Sequence, residues 1–106
     1  MEPLLVMTHF PDEELAQAFA REALAARWAA CINILPPCRS LYRWQGKLEM
    51  AQEIPLFIKT TRAHYAALEA AIVRWHPFEI PEIVALPLVG GLPAYLAWLG
   101  EETAPC

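Results

Sequence analysis

Apolar residues recur along this chain at two spacings, and the alternation between them lays out the elements. Leu4-Leu5-Val6-Met7, within residues 3–8, is an apolar run too short for a globular helix and reads as a strand. Phe10-Pro11-Asp12-Glu13-Glu14 then opens a helix, because proline fits the first turn and carboxylates fit its positive end. Leu15, Phe19, Ala23 and Ala26 follow at helical spacing, widened by Leu24 and Trp28, so this helix is expected to reach about Trp28. Residues 30–35 form a second apolar run, stopped by Pro36-Pro37. Cys31 and Asn33 lie inside it; the pattern predicts a buried thiol and a buried amide that needs partners.

The period then changes to two. Leu41-Tyr42-Arg43-Trp44, the turn Gln45-Gly46-Lys47, and residues 48–60 with Ile54, Leu56 and Ile58 predict a long hairpin, with a bulge or bend at Met50-Ala51-Gln52. Thr61 suits the N-cap of a second helix, whose apolar stripe is Tyr65, Leu68, Ile72 and Trp75. His76-Pro77 should end that helix, since proline pushes the residue before it out of helical geometry. A strand over 82–88, a turn at Gly90-Gly91, and a short helix from about Pro93 to Leu99 with Tyr95 and Trp98 on one face complete the chain. The order β α β β β α β α, as one domain over residues 1–106, predicts an α+β, ferredoxin-like split βαβ arrangement. Its features are an antiparallel sheet, two helices on one face, a long central hairpin and a short C-terminal helix. The strands carry apolar residues on both faces, so the open face and edges are expected to pair with other copies of the chain.

Composition sharpens that expectation. Of 106 residues, 57% are hydrophobic and 19% charged, against about 45–50% and about 25% in ordinary soluble domains. The longest apolar stretch, residues 83–92, is cut by Pro87, Gly90 and Gly91, and no signal-peptide pattern precedes the first strand. A subunit interface is the remaining sink for apolar surface. Net charge is −4 and the basic residues are scattered, which argues against nucleic acid or an anionic membrane as partner. The odd set Cys31, Cys38 and Cys106, without a C-x-x-C pair, fits a reducing cytoplasm, and Cys106 is expected to be mobile. Ten prolines and an excess of Arg over Lys fit a heat-stable protein.

Most catalytic devices are missing. No phosphate-cradling glycine loop is present, Ser40 is the single serine, and nothing brings a histidine to Cys31 or Cys38. The distinctive segment is His76-Pro77-Phe78-Glu79-Ile80-Pro81-Glu82, where two prolines stiffen a turn carrying one imidazole and two carboxylates. That donor set suits divalent copper or zinc, although fewer ligands are in view than a full zinc site takes. The alternative is structural, with His76 serving the carbonyls at the helix end and Glu82 pairing across an interface. His64 reads as solvated, and His9 sits where a ligand could bind but is not favoured. Tyr42, Trp44 and Lys47 form an aromatic hairpin tip, read as an inter-subunit contact in preference to a base-stacking platform.

Taken together, 29–34, 40–47, Glu53 with Ile58-Lys59-Thr60-Thr61, the 76–83 segment and Tyr95-Leu96-Ala97-Trp98-Leu99 resemble the CutA family of divalent-cation-tolerance proteins, in order and across essentially the whole chain. The resemblance implies a cytoplasmic homotrimer, similar in shape to PII signalling proteins, tied to divalent-metal tolerance and to copper, with no established catalysis. It points to His76 and Glu79 as metal contacts. Many relatives carry a Cys near the end of the first strand, where this chain has Met7-Thr8-His9, and Phe78 replaces the more common Tyr. Two other readings stand beside metal response: a PII-like sensor of a small anion held in the clefts between subunits by Lys59, Arg43 and Arg62, and a trimeric scaffold.

Overall fold

A computed structural model describes residues 1–105; Cys106, and the mobility expected of it, lie outside the described residues. Eight elements follow one another: β1 (Pro3–Phe10), α1 (Glu13–Ala25), β2 (Cys31–Ile34), β3 (Cys38–Trp44), β4 (Lys47–Thr61), α2 (Arg62–Trp75), β5 (Ile83–Pro87) and α3 (Pro93–Thr103). The sheet runs β2-β4-β1-β5 with every pairing antiparallel, and β3 extends the β2 side of β4. Each crossover helix therefore joins two strands with a third between them, which is the ferredoxin-like arrangement the pattern predicts.

Strand alternation decides which side is closed. In β1, Leu4, Val6, Thr8 and Phe10 are buried while the residues between them are half-exposed. In β4, Ile54, Leu56, Ile58 and Thr60 point the same way. Against them pack Ala16, Phe19 and Ala23 of α1 and Leu68, Ala71 and Ile72 of α2, forming one core. On the other face Leu5 stands beside Leu86 and Met7 beside Val84, and Val84 and Leu86 remain about half exposed. The last helix, α3, reaches that second face, with Tyr95 beneath the Lys59 ammonium, 5.7 Å from the ring centroid.

Several local expectations give way to tertiary partners. Helix α1 stops at Ala25, three residues early. Arg27 adopts φ 62°, and the amides of Arg27 and Trp28 bond back to the carbonyls of Leu24 and Ala23, a left-handed cap usually made with glycine. Ala26 is consequently exposed and Leu24 is 41% exposed, so neither belongs to the buried stripe. Arg27 also donates to the carbonyls of Glu101 and Glu102, satisfying the end of α3 and carrying that helix to Thr103, past the expected Leu99. Thr61 stands at the N-cap of α2 but makes no side-chain cap bond; the Arg62 amide bonds to the Glu2 carbonyl, brought there by the β1–β4 pairing.

The hairpin is regular through Met50-Ala51-Gln52. Its irregularity lies on the partner strand: Ile34 faces Leu56 and Cys38 faces Glu53, so Leu35-Pro36-Pro37 stand opposite only two residues. The two prolines have no N–H to give the ladder, and the extra residue is absorbed there. Cys31 and Asn33 lie on the second sheet face of edge strand β2, half-exposed and exposed respectively, contrary to the buried positions expected; Asn33 accepts a bond from Lys59 at 3.3 Å.

Candidate functional site

Strand β1 pairs β4 only from Thr61 to Ile54, so the rest of the β3–β4 ribbon projects past the end of β1. There it meets the 76–82 turn, and the two enclose a cleft of about 590 Å³. The turn is fixed at both ends. His76 caps α2 in extended geometry, as the following proline requires, and the residue is 7% exposed. The Phe78 amide donates to His76 Nδ1 (3.1 Å), which leaves the ring proton on Nε2, donated to the His9 carbonyl at 2.7 Å. The ring stacks on Phe10 at 5.1 Å and leans on Phe78 at 4.7 Å. At the far end the Thr8 hydroxyl donates to the Glu82 carbonyl at 2.7 Å.

These bonds bear directly on the residues singled out in the sequence. His76 is a bridge between β1 and the turn, and neither ring nitrogen has a lone pair to spare. Glu79 is exposed and lines the cleft without an ion-pair partner among the described residues. Among the described residues, no three His, Cys, Asp or Glu side chains are grouped closely enough to hold a metal ion. His76 and Glu79 therefore have no third such donor grouped with them among the described residues. His9 Nδ1 lies 3.5 Å from Glu82 Oε1, within ion-pair range but without a hydrogen bond to any group.

Within one chain, the cations expected to meet an anion between subunits are spread along the fold. Arg62 pairs with Glu2 at 2.9 Å, Lys59 is held by Asn33 and Tyr95, and Arg43 sits opposite Leu48 near the hairpin tip. Along β4, Arg62 and that tip are more than a dozen residues apart, about 45 Å of extended strand. The Glu2 carboxyl is held below its ordinary range by its bond to Arg62, whose guanidinium is raised in turn.

Reasoning from sequence missed two cleft residues, Glu49 and Glu53. Strand alternation puts both on the ribbon face that carries Tyr42 and Trp44, with Tyr42 directly opposite Glu49. Lys47, grouped with the aromatic tip in the sequence, does not line the cleft.

Strand order, crossover helices and the overhanging ribbon define a ferredoxin-like α+β protein with an extended hairpin. Residues 4–102 match the family model described as CutA1 divalent ion tolerance protein, and the chain belongs to that family. It is 43% identical over 103 residues to the divalent-cation tolerance protein CutA of Thermus thermophilus, covering 97% of this chain and 99% of that one. The solved Thermus structure superposes with a TM-score of 0.94 at 41% identity, covering 96% and 99% of the two chains. CutA1 of Oryza sativa gives a TM-score of 0.95 at 33% identity, covering 100% and 97%. A third similar structure, at 30% identity and TM-score 0.93 over 96% and 99% of the chains, is described as the periplasmic divalent cation tolerance protein CutA of Archaeoglobus fulgidus. Membership ties this chain to tolerance of divalent metal ions. Among the described residues, no helix is long and apolar enough to cross a membrane.

Proposed function

We propose that the chain works as a non-catalytic homotrimer in the cytoplasm, taking part in the response to divalent metal ions by binding copper(II) first and zinc(II) second. The observation that carries the assembly is the uncovered apolar surface. Val84 and Leu86 on the second sheet face, Leu41, Leu48 and Met50 on the ribbon, and Val89 and Leu92 after β5 stand 45–98% exposed in one chain. Exposed apolar groups of that kind mark interaction surfaces, and β2 and β5 are free sheet edges. The cytoplasmic assignment rests on the free thiols of Cys31 and Cys38; fractionation of cells expressing the protein checks it, and recovery outside the cytoplasm would contradict it.

The metal side rests on family membership, because among the described residues of one chain no three His, Cys, Asp or Glu side chains are grouped closely enough to hold a metal ion. Glu79 and His76 are the residues through which it is tested. Chelator-stripped protein is titrated with copper(II) and zinc(II) against a competing chelator, beside Glu79→Gln and His76→Gln. The expected result is saturable binding at a whole number per trimer. It weakens in Glu79→Gln without loss of thermal stability, and in His76→Gln together with loosening of the turn that carries Glu79. Absence of saturable binding, or affinity equal in wild type and both variants, would remove direct binding from the account.

A further inference from the structure

The metal reading uses only Glu79 of the groups that line the cleft between ribbon and turn. The carboxylates of the cleft come from two elements, Glu49 and Glu53 from β4 and Glu79 and Glu82 from the turn. Among the described residues, no Lys, Arg or His lines it. Glu82 faces His9, while Glu49, Glu53 and Glu79 have no ion-pair partner among the described residues. Between the carboxylates stand the rings of Tyr42, Trp44 and Phe78, each 40–44% exposed. Aromatic faces beside unneutralised carboxylates attract cations that carry an apolar body, because the ring quadrupole and the carboxylate act on the charge while the ring covers the methylenes.

The spacing selects among cations. Glu49 and Glu53 lie four residues apart on one face of an extended strand, about 13 Å. A compact ion cannot bridge that span, in keeping with the absence of a grouped ligand set among the described residues. A linear chain with ammonium groups separated by methylenes can. In the register, Glu49 and Glu53 continue the alternation of Phe57 and Lys59, the side of β4 that pairs Met7 and Leu5 on the second sheet face. Leu41, Leu48 and Met50 occupy the opposite face of the ribbon, since Leu41 pairs Met50 and Arg43 pairs Leu48 while Tyr42 pairs Glu49. A copy packed on Leu41, Leu48 and Met50 leaves the acidic, aromatic face open, whereas a copy that reaches along the second sheet face to the ribbon fills the cleft.

We propose that this cleft binds a linear aliphatic polyamine, with ammonium groups at Glu49, Glu53 and Glu79 and methylenes on Trp44, Tyr42 and Phe78. The inference shares Glu79 with the metal reading and is told apart from it by Glu49 and Glu53, which have no part in that reading. The test is calorimetric titration of the assembled protein with spermidine at physiological ionic strength, in the presence of a chelator so that no metal contributes. Magnesium chloride at matched ionic strength and butylamine serve as controls. The expected result is saturable binding of one spermidine per chain, at least tenfold tighter than butylamine and absent for magnesium. Affinity falls about tenfold in Glu49→Gln/Glu53→Gln and also falls in Trp44→Leu, which keeps every carboxylate, with the oligomeric state of each variant checked by sedimentation. Magnesium binding equal to that of spermidine, indicating a diffuse counter-ion effect, would overturn the proposal. So would no binding because a neighbouring copy fills the cleft, or affinity untouched in both variants.

Discussion

The two faces of this sheet follow the same alternation and end in opposite states. On the helix side, Val6, Phe10, Leu56 and Ile58 are wholly buried beneath α1 and α2. On the other side, Leu5, Met7, Val84 and Leu86 alternate just as regularly, and the chain covers them only in part, with α3. One face is finished by the chain itself, and the other is apolar without being covered. In a domain of this size every apolar side chain left in water forgoes roughly 25 cal/mol per Å² of burial. That difference is why the assembly reading rests on the second face and not on composition alone.

The largest effect is expected on the closed side. Phe19 is fully buried, 5.1 Å from Phe10 and 6.0 Å from Trp75 by ring centroid, and Phe19→Ala should cost about 3–5 kcal/mol. Chemical denaturation of the assembled protein measures it, and a loss below about 1 kcal/mol would mean that this core is not the source of stability. On the open side the contrast should invert. Leu86→Glu places a charge on a half-exposed position, and the single-chain fold should keep its circular dichroism spectrum while the oligomer dissociates and its melting temperature becomes dilution-dependent. An undisturbed oligomer in this variant would show that the second face is not the interface.

A smaller effect is expected at the hinge between the two regions. His76→Gln removes the acceptor of the Phe78 amide and the donor to the His9 carbonyl, each about 1–3 kcal/mol when left unpaired and buried. Faster hydrogen exchange at Phe78, with exchange in the α1–β1 core unchanged, is the expected signature; uniform exchange throughout would place His76 in the global core instead.

The smallest effect belongs to the exposed pair Glu2–Arg62. Because Arg62 holds the Glu2 carboxyl below its ordinary range, the pair stabilises the fold above the unfolded carboxylate range, and its contribution is lost as pH falls through the lowered value. Glu2→Gln should flatten that acid-side slope slightly, and salt should mask the difference. A large salt-insensitive loss would show that the contact does more than screen charge.

How much of this was legible in the sequence follows from the range of the contacts. The strands, both major helices and their buried stripes are set by local period, and Pro77 alone places the end of α2. What the pattern could not reveal depends on partners far away in the chain. Arg27 caps α1 in a conformation that signals glycine, and it extends α3 by bonds spanning 74 and 75 residues. The Glu2 carbonyl takes the place of the Thr61 side chain as cap. The same holds at the site. The stiff acidic turn is visible as a sequence motif, but its meeting with Glu49 and Glu53 requires the ribbon to overhang β1. Nε2 of His76 is occupied through a bond to a carbonyl 67 residues earlier, and Nδ1 accepts from the Phe78 amide.

The central claim is that the uncovered sheet face closes only by association of three copies. Sedimentation equilibrium of the purified protein across a hundredfold dilution tests it most directly. A single species of about 36 kDa, three times the 11.9 kDa chain, throughout the dilution series is the predicted result. A monomer of 11.9 kDa that stays soluble with that face exposed would contradict it.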